Sequence, residues 1–313
     1  NAGPDQLFNM VSQGVYEMGS GMKVLTVAIG LDTETVTMND AYDLTYLKVG
    51  KFRVKDFPRH LIGWHTVPQV FFHSSNVGVS QIMLEIGQNA LRNYLKKLRV
   101  LDKLELELPE RARPLFPSAA KWNDLSLVTM SYGYAISASP AHFVQALMPL
   151  VNGGIVYPLT LIKHPSDKPL MGERVFKEST SRSMRQMLRL VVTEGTGKKA
   201  EVKGYYVGGK TGTAEKLVNG KYDKANKTTS KRMSSFFGIM PASNPKFMIY
   251  IILDEPQGIK ESYGFAGGGW TAAPTVGAVL ERIAVLYGLN KLEDNDAEVQ
   301  DLMDIDYMIN GET

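Results

Sequence analysis

The spacing of apolar residues changes once along this chain, and that change constrains the fold more than any other feature. Up to residue 193 the apolar positions recur with a helical period. Residues 23–31 are apolar on nearly every side, the mark of a helix sunk in a core rather than lying on a surface. Residues 77–100 carry Ile82, Ile86, Leu91 and Leu95 on one face, with Lys96, Lys97 and Arg99 opposite. Residues 141–151 and 178–193 continue the pattern, stopped by Asn152-Gly153-Gly154 and by Glu194-Gly195-Thr196-Gly197. Beyond them, residues 234–240 and 247–253 are strand-like runs joined by Pro241-Ala242-Ser243-Asn244-Pro245, the signal of an antiparallel hairpin. Residues 205–217 supply a third strand, and the polar stretch 218–231 reads as a mobile loop. After the Gly-rich stretch 266–269, residues 272–289 return to helical spacing. The pattern predicts an α+β fold, with helices first and then an antiparallel sheet covered by a final helix. Residues 291–313, with Glu293, Asp294, Asp296, Glu298, Asp301, Asp304 and Asp306, read as a solvated, flexible acidic tail.

Composition removes several classes of function. With 35 Lys and Arg against 32 Asp and Glu the net charge is +3, a poor footprint for nucleic acid, which calls for a basic stripe that displaces counterions. No apolar run approaches the ~18 to 20 residues of a membrane span, and no signal-peptide pattern opens the chain, so it is expected to be soluble as given. Absence of cysteine excludes disulfides, thiolate nucleophiles and Cys-ligated zinc. His60, His65, His73, His142 and His164 show no zinc-binding spacing, and neither a metal nor a cofactor is expected.

Three short segments carry candidate chemistry. In Gly19-Ser20-Gly21-Met22-Lys23, Ser20 and Lys23 stand three apart, one helical turn from each other on one face. A lysine in the first turn of a buried helix is disfavoured as an ammonium both by desolvation and by the positive helix end, so its neutral amine becomes available as a base for a serine nucleophile. Taken alone, that motif is better read as an ordinary helix cap followed by a snorkelling lysine. Ser74-Ser75-Asn76 precedes the second long helix, either as its cap or as a proton-relaying hydroxyl with a substrate-holding amide. In Gly209-Lys210-Thr211-Gly212-Thr213, strand alternation projects Thr211 and Thr213 together, Gly212 opens the backbone to a substrate, and the Thr213 N–H is a partner for the Ser20 N–H in an oxyanion hole. Residues 204–211 also spell the phosphate-binding string G-x-x-x-x-G-K-T, but without the apolar strand before it and the helix after it that the string requires.

S-x-x-K, S-x-N and K-T-G in this order resemble the motif set of penicillin-binding proteins and class A β-lactamases. The stretches 15–31, 74–86, 132–154, 207–216 and 234–256 look like the transpeptidase domain of class B penicillin-binding proteins, nearest to its cell-division members; the resemblance runs over roughly residues 10–290 and implies a transpeptidase domain at 1–290. It implies a penicillin-binding and serine β-lactamase-like fold, an antiparallel sheet flanked by helices plus an all-helical region. By resemblance, Ser20 attacks the D-Ala-D-Ala bond of a peptidoglycan stem peptide and Lys23 takes its proton. Ser74 then protonates the departing D-Ala and Asn76 orients the donor, while Lys210, Thr211, Gly212 and Thr213 hold its terminal carboxylate. An amine of a neighbouring stem peptide resolves the acyl-enzyme into a cross-link, and β-lactams acylate the same serine. No nucleic acid is implied. Partner membrane proteins of cell division, a septal role and a place at the periplasmic face of the bacterial inner membrane are implied for the full-length protein. Two departures stand out: Met18 replaces the usual proline, and Gly21-Met22 replaces the usual Thr-Phe. The resemblance also implies a membrane anchor, a pedestal domain and further sheet strands ahead of Asn1.

Two rivals share the same acyl-enzyme. A D,D-carboxypeptidase or serine β-lactamase passes it to water, but Glu105-Leu106-Glu107-Leu108-Pro109 has a proline where the β-lactamase loop has a water-holding asparagine. A non-catalytic β-lactam sensor retains it and signals through a membrane segment.

Overall fold

Helix α1 (Lys23–Asp32) is buried on every side, with Val24, Leu25, Val27, Ala28 and Ile29 fully removed from solvent. Val24, Leu25, Val27 and Ile29 each contribute about 1.5–3 kcal/mol relative to exposure, so this short helix anchors the larger hydrophobic cluster around it. The structure, a computed structural model, describes residues 3, 7–56, 61–165, 168–218, 221–222 and 231–308. The expected loop 218–231 and His60 lie largely or wholly outside them.

Around α1 pack α2 (Val67–Phe72), α3 (Asn76–Lys97, interrupted by non-helical Gly87), α4 (Asp124–Ser131), α5 (Pro140–Leu147) and α6 (Glu178–Thr193). The α6 terminus has no side-chain cap of its own. Asp32, at the end of α1, supplies one by accepting from the Lys177 N–H at 2.7 Å and the Thr180 hydroxyl at 2.8 Å, which ties the two helices end to end. Short α2 and α4 escape periodicity analysis, yet each begins with a local signal. Thr66 and Gln69 form a capping box with a proline behind the cap, and Asn123 and Ser126 form another.

The sheet comprises β1 (Gly208–Glu215), β2 (Arg232–Met240) and β3 (Phe247–Asp254) in the order β3-β2-β1, all antiparallel. Phe236 pairs with Thr211 and Ser234 with Thr213, while Phe237 pairs with Tyr250. Strand β2 is buried along nearly its whole length because α1 and its neighbours cover one face and α7 (Ala272–Leu286) the other. Helices, an antiparallel hairpin and a covering helix thus stand where the spacing predicts them, in an α+β arrangement.

The acidic C-terminal segment departs from the expected free tail. It carries α8 (Ala297–Met303), whose Val299 and Leu302 are buried. Arg182 of α6 makes a two-toothed ion pair with Asp301, and Gln186 donates to the Asp301 and Asp304 carbonyls at 2.8 and 3.0 Å. Farther on, the Tyr307 carbonyl accepts from Thr66, the cap of α2, at 2.8 Å. Two apolar residues three apart give the segment one buried edge, which the run of carboxylates conceals in composition. Leu302→Ala should cost about 2–3 kcal/mol in urea unfolding. A loss below about 0.5 kcal/mol, as at an ordinary surface site, would return the segment to solvent.

Candidate active site

Ser20 lies in a 3-10 turn, Gly19–Met22, that runs straight into α1, so Ser20 and Lys23 occupy successive turns of one continuous helical path. The turn is fixed by close backbone approach. Gly133 has φ +95°, and a Cβ there would sit 1.9 Å from the Gly19 carbonyl oxygen, while the Gly133 carbonyl accepts from the Gly19 N–H at 3.1 Å. On its other side the turn meets the free edge of β1, where a Cβ on Gly19 would come within 2.3 Å of the Thr213 carbonyl oxygen. In an antiparallel strand the N–H and C=O of one residue leave by the same edge, so the Thr213 N–H also faces the turn. Gly21, one of the departures from the family pattern, lies against the Phe143 ring, which a Cβ would approach to 2.9 Å.

Lys23 is fully buried, and its amine turns to Ser74 rather than to Ser20, donating to the Ser74 carbonyl at 2.5 Å and to its hydroxyl at 3.2 Å. Lys210, also buried, donates to the same hydroxyl from β1 at 2.8 Å. Ser74 therefore joins two amines that are far apart in sequence. It holds a left-handed backbone, φ +61°, between α2 and α3. That conformation is uncommon for a non-glycine residue and persists where surroundings over-determine it. The helix cap is Ser75, whose hydroxyl accepts from the Gly78 N–H at 2.9 Å, which leaves Ser74 free of that duty. Asn76 opens α3, and its amide donates to the Lys55 carbonyl at 3.3 Å.

Burial penalises the ammonium at both lysines. It brings Lys23 down to about 7, partly opposed by the Asp56 carboxylate. Burial and then the nearby Lys23 charge push Lys210 well below the usual lysine range. Both amines cannot comfortably be charged around one hydroxyl in a low-dielectric cleft.

The threonines point elsewhere. Alternation along β1 sets them on the face opposite Lys210, where Thr211 and Thr213 line a cavity of about 360 Å³ with Thr196, Lys198, Lys199 and Trp270. The single cradle expected from Lys210, Thr211 and Thr213 is thus divided between the two faces of one strand. The Thr211 and Thr196 hydroxyls are 2.7 Å apart, Thr213 accepts from the Gly268 N–H at 3.2 Å, and the Lys199 amine lies 4.0 Å from the centre of the Trp270 ring. Sequence reasoning missed Thr196, Lys198, Lys199 and Trp270, because no spacing links the loop after α6 to the one before α7. It also missed Asp56. Lys210 and Thr211 lie inside a strand, which removes the context a phosphate-binding loop needs. Among the described residues no group of three or more His, Asp or Glu is placed to hold a metal ion, and no helix is long and apolar enough to cross a membrane.

Residues 1–281 match the family described as penicillin binding protein transpeptidase domain. The chain is 38% identical over 297 residues to the probable peptidoglycan D,D-transpeptidase FtsI of Caulobacter vibrioides, covering 92% of this chain and 49% of that one. It is 31% identical over 274 residues to the peptidoglycan D,D-transpeptidase FtsI of Escherichia coli K12, covering 87% and 44%. The chain therefore spans about half the length of these curated relatives. Among solved structures it superposes on the transpeptidase domain of Burkholderia pseudomallei penicillin-binding protein 3 with a TM-score of 0.82, at 30% identity over 90% of this chain and 83% of that one. Penicillin-binding protein 3 of Mycobacterium tuberculosis, solved with ampicillin, gives 0.81 at 25% identity, covering 95% and 68%.

The turn that carries Ser20 has no room for a side chain at Gly133. Gly133→Ala should slow covalent capture of Ser20 by a penicillin about 100-fold while the far-ultraviolet circular dichroism stays unchanged. Capture at the wild-type rate would show that the close approach does not position the serine.

Proposed function

The chain belongs to the penicillin-binding protein transpeptidase family, and from that premise we propose that it is the catalytic unit, residues 1–290, of a peptidoglycan D,D-transpeptidase that works through an acyl-enzyme on Ser20. The observation that carries this reading is the Ser74 hydroxyl, held between the Lys23 and Lys210 amines beside the turn that presents Ser20.

In this reading the Ser20 oxygen attacks the carbonyl carbon between the two D-Ala residues of a stem peptide, and its proton passes to the neutral Lys23 amine. The Ser20 and Thr213 N–H groups take up the charge that develops on the carbonyl oxygen. Collapse of the tetrahedral species breaks the C–N bond, and the Ser74 hydroxyl delivers a proton to the departing amine, replenished from a lysine. Asn76 orients the donor at the mouth of α3. The donor carboxylate lies with Thr211 and Thr213 in the cavity beside Trp270, whereas Gly212, expected to open the backbone to a substrate, is buried against Ser235 and the Ser20 turn. The negative charge of the carboxylate favours the ammonium on Lys210 and so keeps Lys23 as the neutral partner. An amine of a second stem peptide then enters where the first left, gives up a proton to the lysine pair through Ser74 and forms the new C–N bond; collapse breaks the acyl C–O bond to Ser20, whose oxygen recovers its proton from Lys23. β-Lactams take the place of the donor.

The relatives named D,D-transpeptidase FtsI and the ampicillin-bound neighbour support this chemistry. A septal role, partner membrane proteins of division and the periplasmic face of the inner membrane belong to the same proposal for the whole protein. For hydrolysis no specific observation speaks. Glu107 accepts from Thr160 and Leu161, and Glu105 pairs with Arg99.

Intact mass followed after mixing with a penicillin tests the proposal. One adduct should form on Ser20 and persist for hours, and Ser20→Ala should remain unmodified. Loss of the adduct within seconds would make the protein a hydrolase, and an adduct on Ser20→Ala would remove the assigned nucleophile. Retention without cross-linking of a D-Ala-D-Ala thioester to an acceptor amine would leave a sensor.

The pH dependence carries its own sign. A base must be neutral to accept a proton, and the Lys23 amine loses its proton at about 7, so the acylation rate should rise with pH through that value and level off above it. A rate flat from mildly acidic to mildly alkaline pH would mean that Lys23 is not the base.

A further inference from the structure

Asp56 is a buried carboxylate, 8% exposed, in a stretch of chain that carries no recognised motif, and among the described residues its hydrogen bonds fall on the segment that follows Ser74. One oxygen accepts from the Ser75 hydroxyl at 2.6 Å, and the other accepts from the Asn76 N–H at 2.5 Å and the Val77 N–H at 3.1 Å. It thereby caps the open end of α3 together with Ser75. The residue immediately before these three is Ser74, the hydroxyl shared by the two lysines, in its left-handed conformation. We propose that Asp56 is a positioning residue for the reaction: it clamps Ser75, Asn76 and Val77 so that Ser74 stays between Lys23 and Lys210. The proposal rests on the serine acyl-enzyme reading above.

Two observations separate this role from an ordinary helix cap. Ser75 accepts from the Gly78 N–H and Asp56 from the Asn76 and Val77 N–H groups, but the bond from the Ser75 hydroxyl to Asp56 satisfies no helix N–H and instead fixes the residue next to Ser74. The site also brings two basic amines together, and Asp56 is the carboxylate whose charge reaches Lys23. Lys210 stands on the other side of Ser74 from β1. Several titratable groups on the elements packed against α1 have partners of their own. Glu85 on α3 accepts from Tyr42, Arg189 on α6 pairs with Glu201, and His142 on α5 contacts Ser139 and the Asp102 carbonyl. Asp32 accepts from Tyr94 and Thr180 at the far end of α1, and His73 closes α2. A negative charge next to Lys23 favours its ammonium, and removing that charge must lower the pH at which the neutral amine appears.

Asp56→Asn keeps an oxygen for the two N–H groups and removes the charge, and Asp56→Ser keeps a shorter cap. The rate of adduct formation on Ser20 with a fluorescent penicillin should be read against pH for both, alongside thermal unfolding. The acid limb should move down by about one pH unit. The alkaline plateau should fall about tenfold, as expected when a relay loses its alignment. The deficit should therefore shrink as the pH is lowered. Ser75→Ala, which leaves the charge in place, should lower the plateau without moving the limb. An unshifted acid limb in Asp56→Asn, with only the melting temperature lowered, would reduce Asp56 to a helix cap and overturn the proposal, as would failure of both Asp56 variants to fold. If instead the wild-type chain forms no adduct on Ser20, the acyl-enzyme reading itself has failed, an outcome that the wild-type control shows before any variant is compared.

Discussion

Two amines, buried in one cleft and bonded to one hydroxyl, form the constraint on which the rest of this structure depends. Water would solvate two ammonium groups independently, whereas a low-dielectric interior forces them to share fewer protons than they have sites. Lys23 and Lys210 reach this condition because each sits on an element with no exposed face to escape to. Helix α1 is apolar all round, and at the Lys210 end of β1 the strand is covered on both sides. Relocating either lysine to the surface would make it an ordinary cation. The hydrophobic core thus does more than stabilise the fold, since it converts a lysine into a base at a pH near 7.

The same core explains how residues nearly 200 positions apart in sequence meet at ångström precision. The Ser20 turn is pinned from one side by Gly133 and from the other by the edge of β1, and the Ser74 segment is pinned by the cap of α3. Backbone contacts of this kind tolerate little displacement, because a peptide has no rotamer to yield with. Farther away, Asp32 joins α1 to α6, and the C-terminal segment straps α6 to the start of α2, the helix that leads into Ser74. Stability of that distant strap is therefore connected to the geometry of the site through rigid elements rather than through any shared side chain.

Much of this was legible from residue spacing, and the illegible parts have identifiable causes. Helix α6 and the β2–β3 hairpin declare themselves by period, since each has one buried face of sufficient length. Helix α8 hides because its two buried residues are surrounded by carboxylates whose partners, Arg182 among them, lie more than a hundred positions away. The three chemical motifs name Ser20, Lys23, Ser74, Asn76 and Lys210, but spacing does not say which way a strand faces. The alternation of β1 gives Lys210 to Ser74 and the threonines to the cavity beside Trp270. Local caps also mislead: Ser74 and Ser75 are both reasonable caps in sequence, and the left-handed backbone of Ser74 decides between them. Asp56 and Thr196 were invisible because a lone carboxylate or hydroxyl acquires meaning only from neighbours that the fold supplies.

Burial brings the Lys23 amine into titration near neutral pH, and the chemistry of the site depends on it. Lysine labelled with carbon-13 at the ε position, observed by nuclear magnetic resonance through a pH titration and assigned with Lys23→Arg and Lys210→Arg, reads that protonation without any substrate. The Lys23 resonance should titrate near 7, far from the bulk of the lysines. A Lys23 midpoint at the ordinary lysine value of about 10.4 would contradict it.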